Sequence, residues 1–257
     1  MKRSTTVLLL ACALLLIVLE IARPTYSQDG VKNLMISTII SRSVGGALFL
    51  SLIKERFPRL FTLKTDARAL ICVLPALAVA INNAPIIGLA TKSATVDADG
   101  TALLLFAIQS LAVGAFEEAA FRGYLFPLLL ERSKSRSVFF STVATSAVFA
   151  AVHIVNLFSG ASPAAVLLQV GYSFLIGGMC AIVLLKTRCI WICILLHSIY
   201  NFGGTLIPTL GHGRVWDPIT VTVTAVLGVS VLAVMLKILH GVTPEEASAL
   251  YKNKKNA

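Results

Sequence analysis

Apolar residues fill this chain in long, nearly unbroken runs, and polar residues gather between them. The first run follows the basic start MKR, and the others cover roughly residues 31–53, 69–90, 101–130, 138–156, 164–185, 188–207 and 218–239. A transmembrane helix needs about 20 consecutive, mostly apolar residues. The runs lack the alternation of apolar and polar residues that membrane strands show. The pattern therefore predicts an all-α, polytopic bundle of about eight transmembrane helices.

Composition and charge support this class. Of the 257 residues, 57% are hydrophobic and only 13% are charged, whereas soluble domains carry roughly a quarter charged residues. The net charge of +10 is concentrated in short clusters between the runs, namely KERFPR, ERSKSR, KTR and KNKK. Basic loops face the cytoplasm, and a cytoplasmic N-terminus places all these clusters on that side. We therefore expect a multi-pass protein with both termini in the cytoplasm, and the short loops favour a bacterial plasma membrane.

The first run leaves an alternative open. Its basic start and the small residues near Ser27 are also typical of a cleavable signal peptide. A retained helix is preferred because an even number of helices fits the charge pattern. The expected division is a first helix or signal anchor (1–30), accessory helices (31–100), a core (101–207), and a last helix with a basic tail (208–257). No aromatic-interleaved basic face indicates nucleic-acid binding.

Three predicted helices carry strongly polar residues inside their apolar runs. The segments EEAAFRG, FAAVH and HSIYN begin at Glu117, Phe149 and His197. Ionisable groups inside a membrane helix are costly and point to function by default. Counted from the basic loops at about 1.5 Å per residue, Glu117, His153 and His197 all lie roughly 14–22 Å deep. The sequence therefore predicts one buried polar cavity shared by three helices.

The spacing within each segment separates the polar residues by face. Glu118 and Arg122 are four residues apart, so they share a helix face and can form an ion pair. Glu117 is turned away by about 100° and is free for another contact. A glutamate and a histidine can activate a water molecule, and a histidine and an asparagine can stabilise an oxyanion. These types favour a hydrolase without a serine or cysteine nucleophile.

The three segments, in this order, resemble the CPBP family of intramembrane proteases. This family includes the Rce1-type CAAX prenyl endopeptidases and bacterial relatives linked to bacteriocin self-immunity. Its pattern of EExxxR, FxxxH and HxxxN or HxxxD is complete here, within roughly residues 100–207. The resemblance implies an endopeptidase in the lipid bilayer that cleaves a membrane-associated or lipidated peptide near the cytoplasmic leaflet.

The resemblance also implies catalytic roles for four motif residues. Glu117 would be the base that activates water, with His153 as its partner. His197 and Asn201 would stabilise the oxyanion.

Three further motif positions are expected to be structural. Glu118 and Arg122 would hold the helix face as an ion pair, and Phe149 would pack near the site. Arg42, inside another apolar run, leaves two interpretations: it snorkels toward the interface, or it is a counter-charge to the glutamate pair.

A site without a cofactor is predicted. The family was long described as metalloproteases, but the structural model for Rce1-type members is a glutamate-dependent site without a bound metal. The sequence also lacks HExxH, the usual zinc-binding pair on a helix. In the zinc alternative, Glu117, His153 and His197 would be the ligands.

Two other functions remain open at this point. Buried glutamate, histidine and arginine also build proton relays, so a proton-coupled transporter is one alternative. Such a protein would show inverted repeats and paired broken helices, which the sequence does not display. The other alternative is a non-catalytic membrane immunity or partner protein. The complete set of Glu, two His and Asn favours a catalyst.

Overall fold

The structure, a computed structural model, describes residues 25–63, 65–133, 137–214 and 216–252. The first predicted helix lies outside these residues. The helices, numbered in chain order, are α1 (Gly30–Arg56), α2 (Ala67–Ile71), α3 (Leu74–Asn82), α4 (Ile86–Ala90), α5 (Gly100–Glu118), α6 (Phe126–Arg132), α7 (Val138–Val152), α8 (Pro163–Thr187), α9 (Ile190–Leu210), α10 (Pro218–His240) and α11 (Pro244–Ser248). Two short strands, β1 (Ala94–Val96) and β2 (Gly211–Gly213), pair antiparallel.

Six helical spans in the described part of the chain are long and apolar enough to cross a membrane. They are α1, the continuous helix from α5 through α6, α7 with its short extension, α8, α9 and α10. A π-helix, Ala119–Leu125, joins α5 to α6, and a 3₁₀-helix, His153–Ser159, extends α7. The prediction of an all-α, polytopic membrane bundle is confirmed.

The predicted helix at 69–90 is not continuous, which corrects the sequence analysis. This segment is divided into α2, α3 and α4. Pro75 lies in the first turn of α3, where proline is tolerated, and Pro85 precedes α4. Proline disfavours helical geometry in the residue before it, which favours the break seen between α3 and α4. Asn83, beside this break, donates from Nδ2 to the carbonyl of Tyr200 on α9 at 2.8 Å.

The broken segment nevertheless connects opposite ends of the bundle. At its start, Thr65 Oγ1 donates to the carbonyl of Thr187, the last residue of α8, at 3.3 Å. After it, β1 pairs with β2, which follows α9. The segment therefore runs along the bundle beside the six candidate spans, and the predicted first helix lies outside the described residues.

The two ends of the bundle differ in charge. The ribbon end carries β1, β2, the start of α5 and the end of α9, and Asp97 N donates there to Leu210 O at 2.8 Å. The basic end lies opposite, where α1, α6 and α8 finish with Arg56, Arg132 and Lys186 in their last turns. These two names are used below.

The apolar core is concentrated toward the basic end. Arg56 Nη2 lies 2.7 Å from Glu131 Oε2, and Lys186 Nζ lies 3.2 Å from Glu246 Oε2, so ion pairs join elements across this end. Fully buried side chains fill the space between them: Ile53, Leu60, Phe126, Leu130, Leu184, Ile190 and Ala247. Large apolar side chains elsewhere are exposed, as expected of helices surrounded by lipid, including Leu34, Phe140, Leu167, Leu168 and Val229.

We expect Gly203→Ala to destabilise the bundle, because a Cβ at Gly203 would lie 2.8 Å from the backbone of Ala84. Overpacking of this kind costs about 1–3 kcal/mol. Gly171→Ala is the matched control, since a Cβ there meets nothing within 4 Å. The measurement is the apparent melting temperature in detergent. Equal melting temperatures for the two variants would contradict the close packing of the broken segment on α9.

Candidate active site

Three helices bring the predicted site residues together around one cavity. Glu117 and Glu118 are the last two residues of α5. Phe149 lies near the end of α7, and His153 begins the 3₁₀-helix that follows. His197 lies in the middle of α9. The three sequence segments therefore converge in space, as their common depth predicted.

The predicted ion pair between Glu118 and Arg122 is present. Arg122 Nη1 lies 3.1 Å from Glu118 Oε1, and the two side chains are only 1% and 0% exposed. The helix widens into the π-helix directly after Glu118. Single π-turns inside α-helices occur frequently at functional sites. This arrangement fixes Glu118 on the buried side of the helix.

The guanidinium of Arg122 is enclosed by neighbouring groups, although Nη1 and Nη2 have no hydrogen-bond partner among the described residues. Its Nε donates to the carbonyl of Gly177 at 3.3 Å, and its carbon lies 4.3 Å from the centre of the Phe149 ring. A Cβ at Gly177 would come within 2.6 Å of Nη2, so glycine leaves the room that the guanidinium needs. Phe149 therefore packs directly on the cation, which refines the expected packing role.

His197 lies between the two adjacent glutamates. Its Nδ1 is 2.7 Å from Glu118 Oε1, and its Nε2 is 3.4 Å from Glu117 Oε2. An ionised carboxylate only accepts hydrogen bonds, so Nδ1 carries the hydrogen and donates it. Nε2 is thus presented to Glu117. The sequence analysis missed this contact, because helical spacing relates residues on one helix and this hydrogen bond joins α5 to α9.

His153, like His197, is held through its Nδ1 atom. Its Nδ1 lies 3.0 Å from the carbonyl oxygen of Phe149, and a carbonyl can only accept, so Nδ1 again is the donor. The ring of Phe149 stands between the two imidazoles, 5.0 Å from His153 and 5.7 Å from His197 between centres. Each histidine is therefore held through Nδ1, which leaves Nε2 for other chemistry.

A cavity of about 200 Å³ lies where these elements meet. Glu117, His153, His197 and Asn201 all line it, and Glu117 is 20% exposed, in contrast to its buried neighbour Glu118. This difference in burial agrees with the prediction that the two glutamates lie on different faces of the helix. The structure thus bears out the expected buried polar cavity.

The cavity also contains polar residues that the sequence analysis did not assign to the site. They are Gln109, Ser110, Gln169, Tyr172, Ser173, Tyr200 and Thr205. Spacing could have indicated some of them. Ser110 precedes Glu117 by seven residues, and Thr205 follows Asn201 by four, so each shares a face with a motif residue. Gln169 and Ser173 lie on α8, which carries none of the three motifs, and gave no such signal.

Arg42 contacts an aromatic ring rather than a glutamate. Its guanidinium carbon lies 5.4 Å from the centre of Phe116, the residue before Glu117. Among the described residues it forms a cation–π contact and no ion pair with the glutamates. This geometry does not support the interpretation of Arg42 as a direct counter-charge.

The residues of the zinc alternative do not form a metal-binding group in the arrangement seen here. Within residues 25–63, 65–133, 137–214 and 216–252, no group of three or more His, Cys, Asp or Glu side chains is placed to hold one. Glu117, His153 and His197 would have to move together to become the zinc ligands of the alternative prediction.

Comparison with known proteins supports the resemblance. Residues 99–203 match the family described as "Type II CAAX prenyl endopeptidase Rce1-like". The match covers less than half of the chain, but it includes Glu117, His153, His197 and Asn201. Neither a curated protein nor a solved structure gives a match. The resemblance to CPBP-type proteases is thereby confirmed over this segment, and the family is one of proteases.

We expect Arg122→Ala to reduce the yield and melting temperature of the folded protein. Removing one partner of a buried ion pair costs about 3–5 kcal/mol, because the other charge is left uncompensated. Arg56→Ala is the control, since its pair with Glu131 is about 40% exposed and is worth about 1 kcal/mol or less. Monodispersity and melting in detergent measure both.

A second variant tests the cause of this loss. Adding Glu118→Gln to Arg122→Ala removes the uncompensated charge and should restore part of the melting temperature. If Arg122→Ala alone melted like the wild type, the pair would not hold the helices.

Proposed function

We propose that this chain is an intramembrane endopeptidase that hydrolyses a peptide bond of a membrane-associated or lipidated peptide. The observation that carries the proposal is the position of Glu117, which lines the cavity beside His197 Nε2. Glu118, in contrast, is buried and bonded to His197 Nδ1. The match of residues 99–203 to a protease family supports the reaction class. The apolar helices support an integral membrane protein.

In the proposed mechanism, Glu117 is the general base. A water molecule in the cavity gives a proton to Glu117, helped by His153, and its oxygen attacks the carbonyl carbon of the scissile bond. The carbonyl oxygen becomes an oxyanion in a tetrahedral intermediate. When the C–N bond breaks, Glu117 returns the proton to the leaving amine. A positioned acid–base group typically contributes about 100–10,000-fold to the rate.

His197 and Asn201 are the proposed donors to the oxyanion. Charged His197 would donate from Nδ1 to Glu118 and from Nε2 toward the cavity. The buried carboxylate of Glu118, 2.7 Å from Nδ1, supports that role because it orients the ring and stabilises its positive charge. This assigns different tasks to the adjacent glutamates: Glu117 moves a proton, and Glu118 positions the histidine.

The site needs no metal in this proposal, and the lipid bilayer and the peptide are its partners. The description of the matching family names CAAX prenyl endopeptidases, so a farnesylated CAAX peptide is the first substrate to test. The same peptide without the farnesyl group, and a set of unmodified membrane-anchored peptides, complete the panel.

We expect Glu117→Gln to lower the rate of peptide cleavage by about 100–10,000-fold, the share of a general base, without changing the melting temperature. The amide keeps the shape of the side chain but cannot take the proton. Glu131→Gln is the matched control, because Glu131 pairs with Arg56 at the far end of the bundle. Cleavage by purified protein in detergent, with and without a chelator, is the measurement.

Each other outcome of this assay has a defined meaning. Full activity in Glu117→Gln would remove Glu117 as the base. Loss of wild-type activity in chelator, restored by zinc, would overturn the metal-free mechanism. Folded wild-type protein that cleaves none of the panel would contradict the proposed substrates and favour a non-catalytic or transport function.

We expect Asn201→Ala to lower kcat by about 100–1,000-fold, the usual effect of removing one oxyanion donor, with little change in KM. Asn82→Ala is the control, since Asn82 donates to Thr224 Oγ1 away from the cavity. A rise in KM with unchanged kcat would show instead that Asn201 binds the substrate in its ground state.

A further inference from the structure

We infer that the substrate reaches the cavity from the ribbon end, between α5 and α8, and therefore from the membrane face opposite the basic clusters. That a substrate enters the cavity rests on the proposed function, whereas the position of the cavity mouth is a property of the structure itself. The route differs from the cytoplasmic-leaflet site that the sequence analysis expected.

The cavity extends from the motif residues in one direction only. On α5 its lining residues precede Glu117, as Phe106 and Gln109 do, and on α9 they follow His197, as Thr205 does. The start of α5 and the end of α9 both lie at the ribbon end. On α8, which also starts at that end, the lining runs from Gln169 to Ile176. All three helices therefore place the cavity on the ribbon side of Glu117.

The other direction is closed by packed side chains. Below Glu117, the buried pair of Glu118 and Arg122 is followed by Phe126, which is fully buried. Further toward the basic end, α11 contacts α6 and α8, and Ala247 and Leu250 are 0% and 1% exposed. A peptide could not pass this region without unpacking the core.

The helix contacts show which helices form the walls of the cavity. α5 packs against α1 and α9, whereas α8 packs against α7 and α9. Helix α9 thus forms the back of the cavity, and α5 and α8 form its sides. Near the ribbon end these sides carry exposed apolar residues, including Leu104 at 61% and Leu167 at 73%. Each of these leucines is nine residues, or about 180° around its helix, from a lining residue (Val113 and Ile176), so they mark the outer, lipid-facing side of the cavity wall.

The lining chemistry suits an uncharged, extended peptide segment. Among the cavity residues Glu117 is the carboxylate, and no lysine or arginine lines the wall. Gln109 Oε1 is buried and has no hydrogen-bond partner within the described part of the chain, so it can accept from a backbone N–H. Gln109 precedes Glu117 by eight residues, or about 12 Å along the helix, which about four residues of extended chain would span.

Charge assigns the two ends to the two faces of the membrane. Lys54, Arg56, Arg132 and Lys186 lie at the basic end, and basic residues are enriched on the cytoplasmic side. The ribbon end carries Asp29, Asp97, Asp99 and Asp217 against Lys32, Lys92 and Arg214, so it lacks the excess of basic residues found at the other end. The mouth of the cavity is thereby placed on the non-cytoplasmic face.

Cysteine labelling tests the route without requiring catalysis. In a background with Cys12 and Cys72 replaced by serine, the remaining cysteines are 0–1% exposed. Ser173→Cys places a thiol on the cavity wall, and Ser141→Cys is the matched control, since these serines are 2% and 1% exposed and Ser141 lies outside the cavity. A charged, membrane-impermeant maleimide is applied to intact cells and to inside-out vesicles.

We expect Ser173→Cys to react at least about tenfold faster than Ser141→Cys, because residue 173 lines the cavity through which the reagent would arrive and residue 141 does not, and to do so in intact cells. His212→Cys at the ribbon end should label from the same side, and Lys54→Cys at the basic end from the other. If Ser173→Cys does not fold, Thr205→Cys, on an exposed part of the cavity wall, replaces it.

Three results would overturn the inference. They are labelling of the cavity thiol from the side that labels Lys54→Cys, labelling no faster than the control, and joint labelling of cavity and His212→Cys from the cytoplasmic side. Because labelling needs no turnover, expected labelling without any peptide cleavage would leave the route intact and contradict the protease function alone.

Discussion

The buried carboxylate of Glu118 is the constraint on which the rest of the site depends. It accepts from His197 on α9 and is paired with Arg122 one turn along its own helix. A charge this deep cannot lose its partners without a cost of several kcal/mol. The carboxylate therefore holds α5 against α9 and fixes the ring of His197. The adjacent residue, Glu117, is left to face the cavity.

Much of this site followed from the sequence because helical spacing is a local rule. The separation of Glu117 from Glu118 depends only on the 100° step between neighbours, and the common depth of the motifs depends only on the rise per residue. The bond from His197 to Glu118 depends on how two helices pack, which spacing cannot express. For the same reason Ser173, on a helix without a motif, was not foreseen.

The fold shows a similar division between what was and was not predictable. Hydropathy located the long spans, because each is a continuous apolar run of the length a membrane requires. It failed at 69–90, where the side chains are equally apolar but Pro75 and Pro85 interrupt the backbone. A hydropathy average counts side chains and not backbone donors, so the prolines should have outweighed it. The π-helix that follows Glu118 has no comparable signal in the sequence.

The uneven packing of the bundle fits the chemistry proposed for it. Hydrolysis needs water at Glu117. The neighbouring ion pair of Glu118 and Arg122, however, can hold the helices only if water is kept away from it. A cavity that extends to one end and a core that fills the other meet both requirements. The boundary between them falls between adjacent residues, Glu117 at 20% exposure and Glu118 at 0%. Two successive glutamates can therefore differ in environment, and so in function, because the cavity ends between them.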